Sequence, residues 1–289
     1  MEYRTLGQIG RTVSRIGFGG APAGLKNYLR PYDPADRRQR DDFQAAIRTA
    51  LELGINYFDT APGYGGGISE QIFGEALADQ PADHLWLATK VGPCGRDDVL
   101  RSLERSLNNL HRPSIDLLQI HGDTISDQMA ADMLAPGGMI SGMEQARRDG
   151  MVRHIGFTSE NMNGAVETLI ASGRLETMQI GYNFLFQHPY EPTRPFGCML
   201  QAEAAGMGII TMRTTTSGLF QRWIRQIRPD DAFDYTPALI QFVLSNPLVD
   251  TALIGMRSPA EVRQNCAFCD DLDGRIDLDE FHRRYLAQP

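Results

Sequence analysis

Short apolar runs recur along the chain, most followed by a longer stretch whose apolar residues return every third or fourth position. The runs are SRIGFG (14–19), INYFDT (55–60), HLWLATK (84–90), SIDLLQIH (114–121), VRHIGFT (152–158), LETMQIGYN (175–183), MGIITMR (207–213) and VDTALIG (249–255). Most carry the β-branched or aromatic content of strands buried on both faces. Between them, residues 41–54 place Phe43, Ile47, Ala50, Leu51 and Leu53 on or near one stripe and stop at Gly54, a C-terminal capping residue. Residues 69–79 open on Ser69, a candidate N-cap. Residues 96–110 repeat Leu100, Leu103, Leu107 and Leu110 at helical spacing, and 141–150 end on a glycine. Residues 236–246 and 258–268 read as further helices, the latter with Pro259 in the tolerated first turn.

Alternating strands and helices predict an α/β fold, and eight strand candidates predict a (β/α)8 TIM barrel covering 1–289 as one domain. Before the first barrel strand, YRTLGQIGRTV reads as a β-hairpin turning near Gly7 and Gly10, placed to close the barrel bottom. The competing doubly wound sheet lacks its glycine fingerprint, because GFGGAP puts Pro22 where the third glycine belongs. Residues 20–40 read as a loop.

Composition narrows the partners. The chain has 289 residues, and one barrel of about 250 residues accommodates most of them. Its 28 Lys+Arg against 36 Asp+Glu give a net charge of −8, which argues against nucleic acid or an anionic membrane as partner. No apolar run approaches the ~18 residues of a membrane span, and the N-terminus lacks a secretory leader pattern. Four cysteines make no disulfide framework, so a reducing cytoplasm is the expected location. Cys266 and Cys269 form a single CxxC without the second pair of a zinc site. DDLDGRIDLDE tests as a calcium loop with Gly274 sixth, Asp271 third, Asp273 fifth and Glu280 twelfth, but Cys269 stands first where Asp is needed. No metal is expected.

In a barrel, chemistry sits at the C-terminal ends of the strands. Asp59, Lys90 and His121 end the second, third and fourth predicted strands. Any one of them alone reads as a capping or solvated residue, but three different ionisable groups at equivalent strand ends are hard to explain by packing. Tyr64 follows in DTAPGYGGG, where glycines at 63 and 65–67 let backbone approach a ligand closely.

With these residues in place, GINYFDTAPGYGGGISEQIFGEAL resembles the N-terminal signature of the aldo-keto reductases. IDLLQIH, GMVRHIGFTSEN, MQIGYN and LIGMRSPAEVRQN echo other family segments. The resemblance implies hydride transfer between a nicotinamide dinucleotide and the carbonyl or alcohol carbon of a small aldehyde, ketone or sugar-like substrate. It casts Tyr64 as general acid/base, Lys90 as the cation that lowers the phenol pKa, Asp59 as the anion that holds Lys90, and His121 as a partner of the substrate oxygen. It puts Gly20, Ala21, Asp59, Thr158, Ser159, Gln179, Met212, Arg213, Thr215 and Gly218 along the cofactor. Gly255, Met256 and Arg257 fall over the ribose phosphate, and Gln264 and Asn265 at adenine. Arg257, as a bidentate partner for a 2′-phosphate, favours NADP(H) over NAD(H), although Glu261 opposes it. TTTSGL (214–219) departs from the family's usual Pro-Leu-Gly run, so the loop after the seventh strand is expected to differ in shape. Segments 22–40, with Tyr28, Arg30 and Tyr32, and 122–140 are the expected substrate walls. Two rival classes remain open at this point: a cofactor-binding sensor module of the same fold with little turnover, and another barrel enzyme without a nicotinamide requirement.

Overall fold

The computed structural model describes residues 1–187 and 197–286, the side chains of 282 and 284–286 excepted. The chain opens with β1 (Tyr3–Thr5) and β2 (Thr12–Ser14), an antiparallel pair in register Tyr3 opposite Ser14. The barrel strands follow: β3 (Ile16–Gly19), β4 (Tyr57–Asp59), β5 (Trp86–Val91), β6 (Ile115–Ile120), β7 (Val152–Ser159), β8 (Thr177–Gly181), β9 (Gly208–Met212) and β10 (Thr251–Ile254). All pairs in the barrel are parallel, and β10 closes it against β3. Each strand falls inside the apolar run that predicted it, apart from one residue at the end of β5 and one at the end of β7.

The helices are α1 (Ala21–Gly24), α2 (Arg37–Glu52), α3 (Ile68–Leu77), α4 (Arg96–Leu110), α5 (Asp127–Leu134), α6 (Met139–Arg148), α7 (Gly164–Ala171), α8 (Met199–Ala204), α9 (Leu219–Ile227), α10 (Thr236–Leu244), α11 (Pro259–Asp270) and α12 (Leu278–Leu286). The striped helices α2 and α4 pack Phe43, Ile47, Leu103 and Leu110 into the layer between strands and helices. The single turn α1 and the short α5, α7 and α8 have little stripe to read, and α9 buries no residue fully. The first four are absent from the sequence reading for that reason, and α9 was passed over although its apolar residues recur at helical spacing. Helix α2 begins at Arg37, because Asp36 caps it by accepting from the Gln39 N–H.

One expected cap is corrected. Helix α3 starts after Gly67, not at Ser69. Glycines 65–67 all take positive φ and carry the chain straight into the helix, so Ser69 falls in its first turn. Its buried hydroxyl donates to the Gly20 carbonyl at 2.9 Å and lies 2.8 Å from Thr60 Oγ1.

The hairpin plugs the barrel floor. Leu6 and Val13 join Tyr57, Trp86, Ala88, Leu117, Ile210 and Leu253 in an apolar cluster inside the barrel. The Gly7 N–H donates to Asp250, and a side chain at Gly7 would meet the backbone at 206–208. The C-terminal acidic segment is engaged internally. Asp271 accepts from the Gly274 N–H, and Arg275 donates to the Cys269 carbonyl and pairs with Glu2. Cys266 and Cys269 are free, buried thiols, and burial pushes Cys266 up to about 12.

Candidate active site

Above the apolar plug the interior changes character. Going up the inward face of β4, Tyr57 is followed by Asp59; on β5, Trp86 and Ala88 are followed by Lys90. The period of two along a strand makes this alternation possible. Lys90 Nζ donates to Asp59 Oδ1 at 2.6 Å and to the Thr60 carbonyl at 2.9 Å. Both side chains are almost wholly buried, at 1% and 3% exposure. Replacing one partner of such a pair would leave a bare charge in a poorly solvated place.

Tyr64 is brought over Lys90 by the 60–67 turn. Its N–H donates to the Ala61 carbonyl, and its own carbonyl accepts from the Ser69 N–H. The turn lies so close to the first loop that a Cβ at Gly24 would stand 2.0 Å from the Tyr64 carbonyl oxygen, and one at Gly65 would stand 2.2 Å from Gly24 O. Only glycine fits at either position, and Gly65 takes a φ of +74° besides. Lys90 Nζ is 5.1 Å from the Tyr64 ring centroid. His121, one residue beyond β6, is held by its N–H to the Val91 carbonyl, and its ring meets Tyr64 edge-on with centroids 5.5 Å apart.

The electrostatics differ from the simple expectation in one respect. Burial is the largest influence on Tyr64 and raises its phenol above the ordinary value; Lys90 pulls it down and Asp59 pushes it up again. The expected acidified phenol is therefore not what the geometry gives. Lys90 restrains the rise but does not reverse it, because its charge is already compensated by Asp59 at 2.6 Å. For Lys90, burial alone would favour the neutral amine, but Asp59 and Tyr64 together outweigh it and hold the ammonium. Burial raises Asp59, with Lys90 and Gln119 opposing. His121 is pushed down to about 4 by burial and by the like charge of Lys90, so near pH 7 it is a neutral imidazole.

These groups open into a cavity of about 260 Å³. Of the residues assigned to the cofactor, Gly20, Ala21, Asp59, Thr158, Gln179, Met212, Arg213, Thr215 and Gly255 line it. Ser159, Gly218, Met256, Arg257, Gln264 and Asn265 do not. Ser159 Oγ donates to the carbonyl oxygen and Oδ1 of Asn161. Gly218 is the left-handed residue before α9. The Met256 side chain is packed in the outer core, Asn265 is buried on α11, and Gln264 beside it is exposed. Arg257 faces the first loop, where Nη2 donates to the Tyr28 carbonyl at 2.8 Å and the guanidinium stacks over Tyr32 at 4.4 Å. Its own N–H donates to Glu261, which is also paired with Arg30.

Other lining residues escaped the sequence reading. Glu160 forms an ion pair with Arg213 at 2.6 Å. Arg213 takes a φ of +61°, a conformation that a non-glycine residue adopts at some cost. Gln119 lies beneath the cavity, bonded to both Asp59 and Gln179. Its signal was present: it shares strand parity with His121 and is a polar interruption of an apolar run.

A profile of the aldo/keto reductase family matches residues 15–239. L-galactose dehydrogenase of Arabidopsis thaliana is 26% identical over 94% of this chain and 89% of its own length. Pyridoxal 4-dehydrogenase of Microbacterium luteolum is 27% identical over 91% of this chain and 92% of its own. The holo form of an aldo-keto reductase from Bacillus halodurans superposes with a TM-score of 0.77 at 24% identity, covering 100% of this chain and 97% of that one. An aldo-keto reductase from Klebsiella pneumoniae, solved in complex with NADPH, does so with a TM-score of 0.72 at 20% identity, covering 100% and 97%. The barrel, the strand-end carboxylate, ammonium and imidazole, and the profile match agree: the chain belongs to the aldo/keto reductase family.

Proposed function

We propose that this protein is a nicotinamide-dependent oxidoreductase that transfers a hydride to or from a carbonyl or alcohol carbon, with Tyr64 exchanging the proton. The observation that carries the reading is the Asp59–Lys90 pair, buried directly under Tyr64 and beside His121 at the rim of the barrel. The cavity wall suits a nicotinamide ring. Thr158 and Gln179 supply polar groups, Met212 a polarisable apolar one, and Asp59, Tyr64, Lys90 and His121 lie below. When bound, the dinucleotide supplies or accepts the hydride.

The chain's own part is proton and charge management. A phenol held above its ordinary value is protonated at neutral pH, so Tyr64 serves carbonyl reduction as a proton donor. As negative charge grows on the substrate oxygen, the Tyr64 O–H and the neutral His121 ring meet it, and Lys90 stabilises the phenolate left behind. Asp59 keeps Lys90 charged and aimed. In the oxidative direction Tyr64 must first lose its proton, which favours alkaline conditions.

The cavity rim carries Tyr28, Asp123, Glu160 and Ser217. Glu160 is compensated by Arg213, which leaves Asp123 to add negative charge, and the mixture of hydroxyls and acids suits a neutral, hydroxyl-bearing substrate. The names of two relatives, L-galactose dehydrogenase and a D-threo-aldose 1-dehydrogenase from Pseudomonas, point the same way.

The expected preference for NADP(H) rests on Arg257, and here the geometry argues against it. Arg257 already commits Nη2 to the Tyr28 carbonyl and its face to the Tyr32 ring, which leaves fewer of its donors for a 2′-phosphate. The start of α11, otherwise an attractive place for an anion, already holds the Glu261 carboxylate. Both features support NAD(H) instead. Steady-state turnover over a panel of neutral aldoses, aldehydes and ketones tests the reading with each dinucleotide. The expected result is measurable turnover with higher kcat/KM for NAD(H). No turnover with any member of the panel contradicts the enzyme reading, and a higher value for NADP(H) contradicts the cofactor assignment alone.

A further inference from the structure

Gln119 is fully buried on β6, side by side with Lys90 in the sheet. Its Nε2 lies 3.3 Å from Asp59 Oδ2 and 3.0 Å from Gln179 Oε1. An amide can be turned over, so its orientation has to be argued from its partners. Asp59, as a carboxylate, offers only acceptors. Turning Gln119 over would bring Oε1 against that carboxylate, which costs far more than any neutral contact gains. Gln119 must therefore present its N–H groups, and both are taken up by Asp59 and Gln179. Its Oε1 finds no partner among the described residues, which is the cost of the arrangement.

The consequence travels one residue further. Because Gln179 Oε1 accepts from Gln119, the Gln179 amide is fixed with its Nε2 turned the other way. There, among the described residues, its acceptor is Met212 Sδ at 3.6 Å, a weak one. Gln179 and Met212 both line the cavity. A continuous chain of hydrogen bonds thus joins the Lys90 ammonium to Gln179: Asp59 accepts from both Lys90 and Gln119, and Gln119 donates to both Asp59 and Gln179. It ends in an N–H poorly satisfied within the protein.

We propose that Gln119 is a positioning residue: it passes the polarity of the Lys90–Asp59 pair to Gln179, so that the cavity presents a fixed hydrogen-bond donor and reads an acceptor, the carbonyl oxygen of the nicotinamide carboxamide. The inference rests on the reading of this site as a nicotinamide pocket. Without Gln119, Gln179 is free to turn over and offers donor or acceptor alike. The charged pair used for proton transfer then also decides how the cofactor ring is read.

The test compares binding of the favoured oxidised dinucleotide with binding of its thionicotinamide analogue, whose C=S is a poorer acceptor, by titration calorimetry. The wild type is expected to bind the analogue about fivefold to tenfold more weakly, the size of one neutral hydrogen bond. Gln119→Met and Gln179→Met are each expected to bring the two affinities within about twofold. Gln119→Asn keeps a polar strand residue but is one methylene shorter. It is expected to lose the discrimination as well, so the test survives if the methionine variant does not fold. Loss of discrimination in Gln179→Met with full discrimination in Gln119→Met and Gln119→Asn overturns the relay and leaves the nicotinamide pocket intact. Full discrimination in Gln179→Met overturns both the relay and the assignment of Gln179 to the carboxamide. A wild type that binds neither dinucleotide overturns the site reading from which the inference starts.

Discussion

The lower and upper halves of the barrel interior are built by the same strands at the same parity, and they do opposite things. Below, Tyr57, Trp86, Ala88 and Leu117 close with Leu6 and Val13 of the hairpin into a mainly apolar plug. Tyr57 stacks on Trp86 at 6.4 Å, and Trp86 on His154 at 5.3 Å. One alternation higher on β4 and β6, and two on β5, the inward residues are Asp59, Gln119 and Lys90. The plug gains from burial. The upper layer desolvates a carboxylate, an ammonium and two amides, and recovers the cost only through hydrogen bonds made in one arrangement. The lower half therefore supplies the stability that lets the upper half hold charges where water would otherwise screen them.

Breaking the charged layer gives the largest expected effect. Lys90→Met should lower kcat by about 10²–10⁴-fold and stability by about 3–5 kcal/mol, because Asp59 is left buried and unpaired. Asp59→Asn combined with Lys90→Met should regain most of that stability in urea denaturation and none of the turnover. If the double variant is no more stable than the single one, the upper layer is not the energetic burden described. In the plug the pattern should invert. Trp86→Ala should cost about 3–5 kcal/mol in the same denaturation experiment, while the folded fraction keeps its kcat. A matching fall in kcat would mean that the two halves are not separable.

A smaller effect concerns pH. With His121 pushed down to about 4, kcat/KM for reduction should show no inflection near 6.5, the ordinary histidine value. The sign follows from the direction of the shift. A depressed imidazole stays neutral in the folded protein as pH falls through 6.5, and takes up its proton only on approaching 4. With Tyr64 held above its ordinary value, the alkaline limb should lie beyond 10. A pH profile in the reductive direction checks both, and a limb between 6 and 7 contradicts the neutral, buried imidazole.

Much of this was legible in the sequence, for definite reasons. The strands announce themselves because their outer faces meet helices and their inner faces meet one another, leaving continuous apolar runs that stop where the barrel opens. The same feature exposes Asp59, Lys90 and His121 as breaks in that pattern. Short or weakly striped elements such as α5, α7 and α8 carry too few residues for a period to register. Gln119 was passed over because only the strand ends were searched, and it lies one alternation deeper. Two expectations turn on competition between neighbours in space. The net direction at Tyr64 is set by burial and Asp59 as well as by Lys90. The surroundings of Arg257 are set by the path of a loop some 230 positions earlier in the chain, whose Tyr28 carbonyl and Tyr32 ring engage the guanidinium.

The central claim is that the phenol over the buried ion pair moves the proton that accompanies hydride transfer. Tyr64→Phe keeps the ring against His121 and removes only the hydroxyl, and its kcat beside its dinucleotide affinity is the most direct measurement. The account predicts a kcat lowered by about 10²–10⁴-fold with the dinucleotide bound as tightly as in the wild type. A variant retaining more than about a tenth of the wild-type kcat contradicts it.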